Sequence, residues 1–119
     1  MIFGDGTAER DFIHVDDVCS AIDRAIDTYL PKFQESCDIP SEVNIGSGHG
    51  TTLNEILCTI SKYINRELRI RYADSRSFDV KKNVLDISLA KKALAWSPTI
   101  KLDKGIQLLI DCFRSQLKV

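Results

Sequence analysis

Apolar residues recur along this chain in two rhythms, a helical one of three to four residues and a strand-like one of two. From Asp17 to Leu30, the residues Val18, Ile22, Ala25, Ile26 and Tyr29 fall on one helical stripe. Asp16 is placed to cap this helix, its charge suits the N-terminal end, and Pro31 helps stop it. Thr52-Leu53-Asn54-Glu55 spells a capping box, and Leu53, Ile56, Leu57, Ile60 and Ile64 make the stripe of the helix that follows. A last amphipathic helix is predicted from about Asp103 to Leu117, with Ile106, Leu109, Ile110, Phe113 and Leu117 on one face. Leu68-Arg69-Ile70-Arg71-Tyr72 alternates and is the clearest predicted strand. Phe12 to Val15 and Glu42 to Ile45 read as shorter strands, the second with Val43 and Ile45 on one face. Met1 to Phe3 is apolar and runs straight into the turn Gly4-Asp5-Gly6. Val84 to Ile87 is extended or turning, and Ser88 or Asp86 caps a short helix that ends near Leu94. The polar stretches from Lys32 to Ser41 and from Asp74 to Lys82 read as surface loops.

This order mixes strands with helices, so the expected class is α/β, with an α+β-like character, in a single domain over residues 1–119. About three short strands are few for a free-standing doubly wound sheet, and an opening in mid-strand is unusual for a complete domain. A length of 119 residues suits one hydrophobic core. The net charge of −1 gives no basic field for nucleic acid or an anionic membrane. No apolar stretch is long enough to cross a bilayer, and no signal peptide is recognised, so a cytoplasmic protein is expected. Cys19, Cys37, Cys58 and Cys112 lack the close pairing of a metal or redox motif and are expected to be buried thiols. His14 and His49 share no ligand spacing with them, so no metal is assigned.

Candidate chemistry lies in three places. Arg10 follows the Gly4-Asp5-Gly6 turn, where a fixed cation can meet an anion, although an arginine beside a turn is more often just solvated. Arg76 and Asp79 share a polar loop: the arginine can hold diphosphate oxygens and the carboxylate can accept from ribose hydroxyls, against the plainer reading of a surface ion pair. Gly46-Ser47-Gly48-His49-Gly50 imitates a dinucleotide fingerprint, but its spacing is G-x-G-x-G and the preceding stretch is half polar, so a tight strand-to-helix turn is the better reading. No nucleophile–base pair stands out, and none of Tyr29, Tyr63 and Tyr72 has a lysine four residues on. Trp96 beside Pro98 is expected to plug the core at a helix end.

Taken together, seven segments resemble one family. They are Phe3-Gly4-Asp5-Gly6, Arg10-Asp11-Phe12-Ile13-His14-Val15-Asp16-Asp17-Val18, Val43-Asn44-Ile45-Gly46-Ser47-Gly48, Arg76-x-x-Asp79-Val80, Asp86-Ile87-Ser88-Leu89-Ala90, Leu94-Ala95-Trp96-Ser97-Pro98 and Leu102-x-x-Gly105-Ile106. In this order they resemble the C-terminal part of extended short-chain dehydrogenases of the NAD-dependent epimerase/dehydratase family, above all UDP-glucose 4-epimerase. The resemblance implies a nucleotide-sugar-binding lobe that packs against an N-terminal Rossmann domain holding NAD. It implies that Arg10 and Arg76 grip the diphosphate of UDP, that Asp79 hydrogen-bonds the uridine ribose, and that Phe3 lies near the uracil. It also implies that the glycine-rich NAD turn and the Tyr-x-x-x-Lys pair, which these residues lack, belong to the Rossmann half. A truncated chain is therefore expected, lacking most of the Rossmann sheet, binding no NAD, inactive alone and weak at most toward UDP-sugar. The alternatives are a missing N-terminal half supplied separately, a stand-alone UDP-sugar-binding module, or a self-associating module without catalysis. Alanine stands at position 95, where the family usually has glycine.

Overall fold

The computed structural model describes residues 1–31 and 40–117. Their elements run β1 (Ile2–Phe3), β2 (Glu9–Asp11), α1 (Val15–Tyr29), β3 (Gly50–Thr52), α2 (Leu53–Ile64), β4 (Tyr72–Ala73), β5 (Lys82–Asn83), α3 (Ser88–Leu94) and α4 (Leu102–Gln116). The α/β class holds, with two small sheets: β1 pairs in parallel with β4, and β2 lies between antiparallel β3 and parallel β5.

The helices follow the apolar periodicity closely. Thr52 and Glu55 form the expected capping box, with the Thr52 hydroxyl accepting from the Glu55 amide and the Glu55 carboxylate accepting from the Thr52 amide. The cap of α1 is corrected. His14, not Asp16, is its N-cap, and His14 Nδ1 accepts from the Asp16 amide at 3.2 Å. Asp16 lies in the first turn, where its charge still suits the helix end. At α3 neither Ser88 nor Asp86 is the N-cap: that place falls to Ile87, which has no side-chain cap bond, while the Asp86 carboxylate before it accepts from the Ser88 amide at 2.9 Å.

The strands depart further from expectation. Phe12 to Val15 is not a strand: the ladder ends at Asp11 and Val15 is already helical. Glu42 to Ile45 makes no ladder with any of the described residues; Val43 and Ile45 pack against the core cluster. The alternation of half-buried and exposed residues holds from Leu68 to Arg71 and breaks at exposed Tyr72, and only Tyr72 and Ala73 enter a sheet, because β1 offers just Ile2 and Phe3 to pair with. Alternation fixes which face is apolar, whereas a strand needs a neighbour to hydrogen-bond. The predicted loop from Lys32 to Ser41 lies mostly outside the described residues.

The core is small. Ala21, Ala90, Leu94 and Trp96 form its centre, with Ile13, Ala25, Tyr29, Val43 and Ile45 packed around it. Trp96 plugs the end of α3, as the sequence predicts, and its indole N–H donates to Ser20 Oγ at 2.9 Å. Asp17 is the buried carboxylate: it accepts from the Thr99 amide and hydroxyl and from the Ile100 amide, each at 2.9 Å, which ties α1 to the approach of α4. Parts of the predicted stripes stay outside. Ile22 and Ile26 of α1 and Leu109, Phe113 and Leu117 at the α4 end are exposed. Cys19, Cys58 and Cys112 are exposed too, contrary to the expected buried thiols, since they sit on outward sides of α1, α2 and α4; Cys37 lies outside the described residues. The molecule is a slab of 56 × 42 × 19 Å with a radius of gyration of 18.0 Å. A compact domain of this length has about 13–14 Å. Among the described residues, no helix is long and apolar enough to cross a membrane.

Candidate functional site

The candidate site is built where the two ends of a short parallel pair open into loops. Ile2 stands opposite Tyr72 and Phe3 opposite Ala73, with the Ile2 amide donating to Arg71 O at 2.8 Å and the Gly4 amide to Ala73 O at 2.9 Å. Both chains then leave the ladder on the same side, as parallel strands must. One becomes the turn Gly4 to Thr7, the other the loop Asp74 to Lys81.

The turn is held from two directions. Asp5 Oδ1 accepts from the Thr7 amide at 2.9 Å and from the Thr7 hydroxyl at 2.6 Å. These bonds hold the Asp5 carboxyl below the usual aspartate value. Asn54, at the start of α2, donates its side-chain amide to Asp5 O at 3.0 Å. Gly6 has φ +78°, which favours glycine, and a Cβ there would fall 2.2 Å from Asn54 Oδ1 and push that side chain aside.

In the facing loop Arg76 is fixed on three sides. Its Nε and Nη2 donate to the two carboxylate oxygens of Asp79 at 3.0 and 2.9 Å. Its guanidinium carbon lies 4.4 Å from the centre of the Phe3 ring and 5.0 Å from that of Phe78. Both distances are within cation–π range. Between turn and loop lies an open cavity of about 880 Å³, lined among others by Phe3, Gly4, Arg76, Asp79 and Lys81.

Phe3, Arg76 and Asp79 therefore meet on one cavity although more than seventy residues separate the first from the others. Arg10 does not line it. It lies one residue beyond Glu9, the last lining residue on β2, and its Nη1 donates to Glu9 O at 2.7 Å. Sequence reading did not single out Glu9, Lys81 and Lys82, which also line the cavity; Lys82 Nζ is 2.8 Å from Glu9 Oε2. Their parallel pairing across β2 and β5 is a tertiary fact with no local pattern behind it.

The glycine-rich stretch from Gly46 to Gly50 has a different role. Its Ser47 and Gly48 amides point at the Asp11 carboxylate, at 2.7 and 3.0 Å, and the Leu85 amide joins them at 3.2 Å. A Cβ at Gly46 would sit 2.7 Å from Asp11 Oδ2. Burial pushes the Asp11 carboxyl up, but the Ser47, Leu85 and Gly48 bonds outweigh it and hold the group below its ordinary value. The amides that an NAD diphosphate would need are spent on an internal anion, so these residues do not fit that cofactor. Gly50 itself opens β3, so the stretch leads into a strand and not directly into α2.

The profile of the GDP-mannose 4,6 dehydratase family matches residues 1–109. The chain belongs to this family. This places it in the extended short-chain dehydrogenase family, in the epimerase/dehydratase group. Among its family relatives, a UDP-glucose 4-epimerase of Rhizobium meliloti is 40% identical over 98 residues, covering 82% of this chain and 28% of that protein. The structure of UDP-glucose 4-epimerase from Thermotoga maritima with UDP-glucose superposes at a TM-score of 0.82 and 34% identity, over 98% of this chain and 35% of that one. UDP-glucuronic acid 4-epimerase from Bacillus cereus, in complex with UDP-glucuronic acid and NAD, superposes at 0.82 and 28% identity, over 97% of this chain and 35% of that one. The chain spans about a third of the length of the family members it matches.

Proposed function

We propose that these 119 residues are the UDP-sugar-binding part of a UDP-glucose 4-epimerase-like, NAD-dependent epimerase or dehydratase. The observation that carries this reading is the meeting of Phe3, Arg76 and Asp79 on one open cavity. In it, Arg76 takes a diphosphate oxygen, Asp79 a ribose hydroxyl, and the Phe3 ring faces the uracil. Arg10 is the second diphosphate cation; it reaches the ligand by releasing the Glu9 carbonyl, an exchange of one neutral acceptor for a charged one. The relatives with UDP-glucose and UDP-glucuronic acid support the ligand class.

The parent chemistry moves a hydride between a sugar carbon and NAD while an acid/base group handles the hydroxyl proton. Within these residues there is no Tyr-x-x-x-Lys pair, and the one glycine-rich turn that resembles an NAD cradle is filled by Asp11. The 119-residue chain alone is therefore expected to convert no UDP-galactose to UDP-glucose with NAD. Calorimetry with UDP tests the binding reading. Saturable binding that is lost in Arg76→Ala and Arg10→Ala supports it, whereas no heat of binding, or turnover by the chain alone, overturns it. A second reading is self-association without catalysis, favoured by the exposed apolar residues Ile22 and Ile26 on α1 and Leu109 and Phe113 on α4.

A further inference from the structure

We propose that Phe78 is a positioning residue for Arg76, forming with Phe3 a two-ring clamp that presents the Nη1/Nη2 edge of the guanidinium to an anion. For its ligand this rests on the UDP reading above; for its geometry it rests on the unliganded chain alone.

Phe78 is 73% exposed, in a loop that is polar apart from it and Val80. A phenyl ring left in water contributes nothing to the core, and Phe78 lies outside the core cluster. The cation it meets is the Arg76 guanidinium, 5.0 Å from its ring centre, with the Phe3 ring at 4.4 Å. A guanidinium is a flat plate with two faces and two bidentate edges. Here both rings lie within cation–π reach, and Asp79 takes the Nε/Nη2 edge in a fork. Among the described residues Nη1 has no partner, so the Nη1/Nη2 edge is the one left for a second anion. Arg76 also lines the 880 Å³ cavity, which is where such an anion enters. A long, flexible side chain is thus held in one orientation before any ligand arrives, and less rotamer freedom is lost on binding. Phe3 arrives from β1, and Phe78 lies in the same loop as Arg76. The clamp therefore closes only when β1 and β4 pair.

The test uses the isotopically labelled full chain and the Arg76 Nε–H resonance. Bonded to Asp79 and close to two rings, that proton carries a ring-current shift. Phe78→Leu should move it toward the position of a free arginine, and Phe78→Trp should keep it displaced. In titrations Phe78→Leu should weaken UDP about two- to fivefold, the equivalent of ~0.5–1 kcal/mol for an exposed cation–π contact. It should leave uridine, which has no phosphate, unchanged. Phe78→Trp should restore UDP affinity, while Phe113→Leu, an exposed ring on α4, should change neither signal nor affinity. A Phe78→Leu chain with the wild-type Arg76 resonance and wild-type UDP affinity overturns the clamp and leaves the UDP reading intact. A wild-type chain that binds no UDP overturns the UDP reading, and the resonance alone then decides the clamp.

Discussion

Single residues hold this structure at points where the backbone or a charge is under demand. Ala95 ends α3 in the left-handed region, at φ +48°, where a Cβ is crowded by about 1–2 kcal/mol. Glycine removes that strain and gives back part of the gain as unfolded-chain entropy. Ala95→Gly should raise stability by up to about 1 kcal/mol and the melting temperature by a few degrees, read by thermal unfolding. Asp17 makes the opposite demand. Burial raises its pKa, but the Thr99 and Ile100 bonds, with His14 nearby, outweigh that and hold it below the ordinary value near 3.8. A carboxyl whose folded pKa is depressed adds stability above its unfolded pKa and loses it as pH falls through the folded one. Unfolding by urea should therefore become easier as pH drops below about 4. Asp17→Asn should cost about 2–3 kcal/mol at neutral pH, because buried donors lose a charged acceptor, and it should flatten part of that acid limb. Arg76 and Asp79 are joined by their own loop, whereas Phe3 joins them only through the order of seven short segments. That Arg10 lies outside their cavity, and that Phe78 touches Arg76, follows from strand register and loop path, which local sequence does not encode.

At the scale of elements, helices were legible and strands were not. A helix satisfies its own backbone, so the capping box at Thr52 and the stripe behind it are enough to place α2. The middle strand β2 reads Glu9-Arg10-Asp11, three charged residues with no apolar alternation. Its partners, Gly50–Thr52 and Lys82–Asn83, are equally bland. What makes β2 central is the use of its side chains: Glu9 meets Lys82 and Asp11 fills the loop from Ser47 to Gly48. The buried face of α1 runs beside the predicted stripe: Val18, Ala25 and Tyr29 are half-buried, and the fully buried positions, Asp17 and Ala21, are not among its residues. Ala21 is buried, whereas Ile22 and Ile26 are more than half exposed. Ile22→Lys or Ile26→Lys should change the stability of this chain by no more than about 0.5 kcal/mol. Thr52→Ala, which breaks the capping box, should cost about 1 kcal/mol. Urea titration of the three variants in one buffer checks the contrast, and a large loss in either lysine variant would show that the α1 stripe is covered in solution.

The whole molecule is thinner than its length suggests. A slab 19 Å thick has room for about two layers of secondary structure, and here the centre of the core is two alanines, one leucine and one tryptophan. The exposed apolar residues of α1 and α4 are the surface such a slab leaves over. Scattering from the 119-residue chain should give a mass that rises with concentration, and Ile22→Lys with Ile26→Lys should lower it. A single-chain mass at all concentrations, with a radius of gyration near 18 Å, would count against self-association. The shape also governs how such a chain can change over generations. Where the interior is one side chain deep, most replacements meet water instead of a packed neighbour, so drift is tolerated across most of the surface. Constraint gathers at the few positions where two elements touch through a small residue, such as Ala21 and Ala90, and where a loop closes on a charge, as Gly46 does over Asp11.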